Sequence, residues 1–324
     1  MEEIIEPVSL ELLEAELTPE RFLRKTNKSD NDIYVVTQHN APNVMLEIGR
    51  LREISFRSSG GGTGLSIDMD EYDLMEKPYH QLIVWNPHEK EIIGGYRYIH
   101  GSDVSFDENN VPKLTSSHLF AYSEKFIHEY LPYTIELGRS FVRPEYQSTR
   151  MGAKSLFALD NLWDGLGALI VALPQSKYFF GKATIYPSFG EEEQNLIYYF
   201  LNRFFPDKDH LIYPRKPLKY PFEEKKLDEM FHGSNYKENY QILKDEIRRR
   251  GKNIPPLVNA YMSLSPTMRT FGTAINDEFG DVMETGLMIT VDEIFEEKRV
   301  RHVHSYIEEC VEKNRLYSAY GKIC

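Results

Sequence analysis

The run from Tyr133 to Ala153, YTIELGRSFVRPEYQSTRMGA, constrains the fold more than any other part of the chain. Its first half, Tyr133 to Val142, reads as a strand, with Ile135, Leu137 and Phe141 apolar and Glu136 and Arg139 among them. A carboxylate and a guanidinium on one core strand are costly to bury without partners. Side chains alternate along a regular strand, so positions 136 and 139 face opposite sides unless Gly138 marks a bulge. Arg143 to Met151 reads as a tight polar loop opened by Pro144, and Gly152 and Ala153 begin a long apolar helix. A strand that delivers charges to a loop heading a helix N-terminus builds an anion-binding edge. The competing reading of Glu136 and Arg139 is a plain ion pair.

The rest of the chain supplies the frame. Helices are expected over Ser9–Glu16, from Thr18-Pro19 onward, over Asn43–Phe56 and over Ala153–Leu173;. Strands are expected at Ile33–Thr37, at Tyr79–Trp85 and Ile92–His100 around the turn NPHEKE, and at Tyr178–Tyr186;. Residues 191–262 read as mostly helical, and Met268–Ile275 with Val282–Val291 as a hairpin. This order predicts an α/β chain: one domain over 1–324, with a mixed, mostly antiparallel central sheet flanked by helices. A helical insertion at about 191–262 precedes the C-terminal hairpin. No GxGxxG follows an early strand, so a dinucleotide fold is not indicated.

Several functions are disfavoured. A net charge of −12 argues against nucleic acid as a partner;. The two cysteines, Cys310 and Cys324, give neither a disulfide framework nor zinc spacing;. The acidic N-terminus lacks a signal pattern and no apolar run is long enough to span a bilayer, so a cytoplasmic protein is expected. Gly60 to Gly64 reads as a flexible loop without the Lys-Ser/Thr pair of a P-loop;. The acidic run Asp68, Asp70, Glu71, Asp73 lacks EF-hand spacing, and no metal is expected;.

Gln147, Arg150, Gly152 and Ala153 stand where a Gln/Arg-x-x-Gly-x-Gly/Ala loop would place them. Backbone N–H groups at such a helix start hold a pyrophosphate or a phosphopantetheine phosphate. Strand, loop and helix together resemble the acyl-thioester site of the GNAT acyltransferase superfamily. Arg150 replaces the usual glycine. The run Glu136 to Val142 is similar to the Glu-x-Ser-Arg-Phe-x-Val segment of acyl-homoserine lactone synthases. Arg52 with Phe56, Asp70 with Asp73, and Arg97 match further positions of that family in order, whereas its tryptophan after Phe56 is missing. A closer likeness is to the N-acyltransferases of ornithine- or glycine-lipid synthesis, often labelled hemolysins. It covers roughly Arg52 to Val291 and includes ELGRS (Glu136–Ser140), FFGKA (Phe179–Ala183) and IPPL (Ile254–Leu257), followed by a Phe-Gly hairpin.

The resemblance implies transfer of a fatty acyl group from an acyl-phosphopantetheine thioester, on acyl carrier protein or CoA, to the amine of an amino acid. It makes Glu136 the general base and puts the oxyanion at the peptide groups of Phe141 and Val142. Arg97 and Arg139, held by Asp70 and Asp73, would take the acceptor's carboxylate. Arg52 and Phe56 would complete the substrate site. Arg143, Gln147, Arg150, Gly152 and Ala153 would seat the phosphate, Arg150 favouring the single phosphate of a carrier-protein arm. Arg143, Arg150 and Lys154 would form a docking face for the acidic carrier. Leu156, Trp163, Phe179 and Phe180 are offered as an acyl tunnel or, preferably, as plain core. Peripheral membrane contact is the further expectation. The alternatives are an acyl-homoserine-lactone-like signal synthase and a non-catalytic binding protein on the same fold.

Overall fold

The computed structural model describes residues 1–147, 153–219 and 224–312. The chain opens with helix α1 (Leu10–Glu16), strands β1 (Phe22–Lys25) and β2 (Asp32–Val36), and helix α2 (Pro42–Ser58). A single turn, α3 (Glu71–Leu74), precedes β3 (His80–Asn86), β4 (Glu91–His100) and the short β5 (Phe120–Tyr122). Then come β6 (Thr134–Val142), α4 (Pro144–Gln147), α5 (Ala153–Ala172) and β7 (Tyr178–Ile185). The following segment holds α6 (Glu191–Phe204), β8 (Ile212–Pro214), α7 (Glu224–Met230), α8 (Tyr236–Arg249) and α9 (Pro256–Met262). β9 (Arg269–Asn276) and β10 (Val282–Thr290) form the last hairpin, followed by α10 (Glu296–Arg299) and α11 (Ser305–Glu312).

Eight strands form one sheet in the order β1-β2-β3-β4-β6-β7-β10-β9. Every neighbouring pair is antiparallel except β6 and β7. The expected mixed, mostly antiparallel α/β sheet is therefore present.

Strand alternation sorts the core into two faces. On β3, Leu82 and Val84 pack toward α5, whereas Ile83 and Trp85 pack toward α2. α5 buries Ala158, Leu162, Leu166 and Leu169, one stripe at helical spacing;. α2 buries Val44, Met45, Ile48 and Leu51 on the other face.

β6 breaks its own alternation. Ile135 and Leu137 face α5, yet Phe141 packs on the α2 side. Between them the ladder slips: Arg97 pairs with Gly138, but Gly95 pairs with Phe141. This is a bulge, and one extra residue exchanges the faces of everything beyond it. The left-handed residue in it is Arg139, at φ 45°, and not the neighbouring glycine.

Some expected elements differ. Thr18-Pro19 opens a turn and not a helix, with Arg21 N–H donating to Thr18 carbonyl, and the chain then pairs as β1. Proline suits both a helix start and a turn, and pairing with β2 decides the outcome. The helical insertion also contains β8, which pairs with β5. The glycine-rich loop is fastened: Glu53, fully buried in α2, accepts from Thr63 N–H, the Thr63 hydroxyl and Gly64 N–H. The anion those peptide groups hold is the protein's own. At the C-terminal end, buried Asp164 accepts from Asn27 and pairs with His302, tying α5 to the chain after β1 and to the segment before α11.

Gly94 lies opposite the bulge, where an added Cβ would stand 2.4 Å from the Phe141 carbonyl oxygen. Gly94→Ala is expected to cost about 1–3 kcal/mol in urea unfolding. An unchanged midpoint would show that β4 and β6 have room to separate.

Candidate active site

β6 and β7 pair only from Thr134↔Tyr178 to Leu137↔Gly181, although β6 runs on to Val142 and β7 to Ile185. Beyond Leu137 the strands part, and a cavity of about 1190 Å³ opens there. Its walls include Gly138 to Val142 of β6, Lys182 and Thr184 of β7, Phe56 of α2, and Glu284 of β10. Segments far apart in the chain converge on it, for Pro255, Pro256 and Leu257 line it together with Phe279. Phe56 and Phe279 meet edge to face, 5.0 Å between ring centres. Trp163, Phe179 and Phe180 do not line it; Phe179 and Phe180 are buried in the core, and Trp163 packs against it partly buried. Leu156 and Lys154 lie outside the described side chains.

One wall is a lattice of buried charges. Arg52 donates to Asp73 at 3.1 Å and to Gln81, which in turn donates to Asp73 at 2.9 Å. Arg97 donates to Asp70 at 2.7 Å and to Asp73 at 3.1 Å. Arg139 pairs with Asp68 at 3.0 Å and lies over the Phe279 ring at 4.4 Å. Burial alone would raise the Asp73 pKa, but Arg52 and Arg97 outweigh it and hold the carboxyl well below its usual 3.8. Asp70 also caps α3, accepting from Tyr72 and Asp73 N–H. Arg52, Asp73 and Arg97 are thus brought together, with Asp68 and Gln81 joining them; Asp70 and Asp73 hold Arg97, whereas Arg139 turns to Asp68, with Asp70 3.9 Å away. Arg139 reaches into the cavity because the bulge turns it onto the α2 face.

Glu136 is placed differently from the expectation of a cavity base. It is 2% exposed and does not line the cavity. Its oxygens accept from the Tyr79 hydroxyl and from both the N–H and the hydroxyl of Thr115 and of Ser116. With its lone pairs so occupied, Glu136 anchors the turn at 115–116, and that turn carries His118 to the cavity wall.

The facing wall holds a polar group that local sequence did not single out. Lys182 Nζ pairs with Glu284 Oε2 at 2.7 Å. Asn276 Nδ2 donates to the same oxygen at 3.2 Å, and Thr184 reaches Oε1 at 3.3 Å. Burial would raise the Glu284 pKa, but Lys182 and Arg139 lower it further, so the carboxylate is ionised. Desolvation and then the Lys182 charge lower the His118 pKa, leaving the imidazole neutral at pH 7. The signal was one charge of each sign inside apolar strands, FFGKATI and VMETGLMIT. Such charges demand each other once buried.

The expected phosphate seat is described only at its edges. Gln147 lines the cavity and donates to the Val142 carbonyl at 2.6 Å. Arg143 is held by Glu91 and Glu145, away from the cavity lining. Ala153 begins α5, while Arg150 and Gly152 lie outside the described residues. Among the described residues no group of three or more His, Cys, Asp or Glu is arranged to hold a metal ion, and no helix is long and apolar enough to cross a membrane.

Two substitutions test this geometry. Asp73→Asn leaves two buried guanidinium groups short of a partner and is expected to cost about 3–5 kcal/mol. Because the folded pKa of Asp73 is depressed, its contribution is complete above the unfolded value of 3.8 and is lost as pH falls through the folded value near 2;. The gap between variant and wild type in chemical unfolding should therefore narrow over that window. Glu136→Gln turns an acceptor into a donor facing donors, so a loss of about 1–3 kcal/mol is expected. A variant with unaltered melting and abolished activity would instead give Glu136 a direct part in the chemistry.

The family profile described as "Acetyltransferase (GNAT) domain" matches residues 51–156, which hold α2, the charge lattice, β6 and the start of α5. A glycine N(alpha)-acyltransferase of Bacteroides thetaiotaomicron is 64% identical over 308 residues, 95% of this chain and 91% of that protein. A glycine N(alpha)-acyltransferase of Phocaeicola vulgatus is 60% identical over 318 residues, 98% of each chain. No solved structure matches. With the parted strands, the bulge and relatives of this similarity over nearly the full length, the chain belongs to the GNAT N-acyltransferases and is an acyltransferase enzyme.

Proposed function

We propose that the chain transfers a long acyl group from a phosphopantetheine thioester to the amine of glycine, giving an N-acylglycine for amino-acid lipid synthesis. The observation that carries this is the cavity at the parting of β6 and β7. At about 1190 Å³ it exceeds the usual 300–1,000 Å³ of small-ligand clefts, room suited to an acyl chain beside an amino acid;. Glycine enters from the names of the two relatives. Past Leu137 the β7-facing edge of β6 has no ladder partner, so peptide N–H groups near Phe141 and Val142 are available to the oxyanion;. Arg139, partly exposed at the cavity, takes the acceptor's carboxylate;. The donor is acyl carrier protein or CoA, its phosphate lying between Gln147 and the start of α5. The likeness to the lipid-forming, hemolysin-labelled enzymes and to acyl-homoserine lactone synthases supports this reading. A cytoplasmic setting with peripheral membrane contact, where the product would leave, follows from it.

The test is product analysis by mass spectrometry. The purified chain is supplied with glycine and with palmitoyl-CoA or palmitoyl carrier protein. An N-palmitoylglycine with either donor is the expected result, and the preferred donor settles the carrier. Thioester hydrolysis with no amide would overturn the proposal. Arg139→Gln is expected to raise the KM for glycine about 10- to 100-fold, the worth of a charged hydrogen bond.

A further inference from the structure

Asn276 is 2% exposed and lines the cavity, yet its Oδ1 accepts no hydrogen bond among the described residues. A buried amide oxygen without a donor is costly and calls for a ligand that supplies one. Its Nδ2 is committed to Glu284 Oε2, which fixes the amide's orientation and leaves Oδ1 with the His118 ring as its polar neighbour. Glu284 is similarly half used. Oε2 takes Lys182 and Asn276, while Oε1 receives only the long Thr184 contact. Two residues with acceptor capacity in hand, one neutral and one charged, thus line the cavity from the last hairpin.

We propose that Asn276 Oδ1 and Glu284 Oε1 seat the amino group of the acceptor, and that His118 carries its proton away. The seat presupposes the acyl transfer to an amino acid proposed above. A neutral primary amine has two N–H donors and one lone pair. Two acceptors hold the two N–H groups and leave the lone pair to aim at the thioester carbonyl. An α-amino acid adds a carboxylate, and Arg139, whose charge reaches Glu284, is the guanidinium for it. Lys182 and Arg139 offset the pull of the Glu284 carboxylate toward an ammonium, which leaves the amine able to give up its proton.

His118 is exposed at the cavity wall and stands beside Asn276. The charged groups facing it are Lys182 from β7, Glu284 from β10 and Glu278 from the turn after β9. The arriving ammonium gives one proton to the imidazole, which passes it to water. The lone pair then attacks the carbonyl carbon and the C–N bond forms. As the tetrahedral oxyanion collapses the C–S bond breaks, and the second N–H proton ends on the departing thiolate as thiol.

The experiment compares glycine with N-methylglycine, whose neutral amine has one N–H. Thiol release and amide formation from palmitoyl-CoA or palmitoyl carrier protein, whichever the full chain uses, give kcat/KM for each acceptor. Wild type should favour glycine by about 10- to 100-fold, the worth of one buried hydrogen bond. Asn276→Leu should compress that ratio several-fold, a change that general loosening of the fold does not produce. Glu284→Gln, which keeps the volume, should compress it too if Asn276→Leu fails to fold. His118→Gln should lower kcat about 100-fold with little change in the KM for glycine. A wild-type ratio near one, or a ratio untouched by both hairpin variants, overturns the seat; an unaltered kcat in His118→Gln overturns its proton role. If another primary amine is acylated in place of glycine, the glycine assignment falls and the same ratio, with that amine and its N-methyl form, decides the seat. If no amine is acylated, the transfer proposal and the seat fall together.

Discussion

β6 and β7 are parallel neighbours, and parallel strands cannot be joined by a tight turn. α5 is the crossover between them, and its apolar stripe lies on the sheet it bridges. Adjacent strands also rotate against each other, and nothing beyond Leu137 and Gly181 holds this pair together;. The gap leaves peptide groups without ladder partners in the middle of a sheet, where they are normally satisfied. A binding cavity is the setting in which that arrangement is tolerated. The bulge on β6 belongs to the same solution, since it turns Arg139 toward the opening and Phe141 toward α2.

The charge lattice behind the cavity serves position more than stability. Arg52, Arg97, Asp68 and Asp73 are buried, with Arg139 and Asp70 at the more open edge, and burying such groups offsets much of what their attraction supplies;. The lattice does fix direction. Arg52 and Arg97 share Asp73, Asp70 caps the following turn, and Arg139 is aimed by Asp68. Glu136 does comparable work for the 115–118 turn, as Glu53 does for the glycine-rich loop. Buried carboxylates thus fasten three loops around one opening.

Much of this was legible because it is local. The ELGRS strand, the helix after it, the hairpin around NPHEKE and the last hairpin each declare themselves by periodicity and turn residues. Arg52, Asp70, Asp73 and Arg97 were readable only through their match, in order, to positions of a known family. Asn276, Glu284 and His118 were not, because each is a single polar residue in an unremarkable strand or turn. They acquire meaning only once β7, β10 and β9 are known to be neighbours. The place of Glu136 was hidden for a related reason: its donors are Tyr79, far back in the chain, and a turn some twenty residues earlier, in a region without periodicity. The bulge was anticipated at Gly138, but backbone strain settled one residue later, on Arg139.

The position of the last hairpin bears on how the protein is made. β10 covers the outer edge of β7, and the segment between them includes α6 to α9. While the chain is emerging from the ribosome, the half-sheet from β1 to β7 has an open edge of the kind that recruits stray strands. The intervening helices are synthesised in time to cover apolar surface, but only the hairpin closes the edge. The same hairpin brings Asn276 and Glu284 to the cavity. A nascent or prematurely ended chain therefore lacks one wall of the cavity.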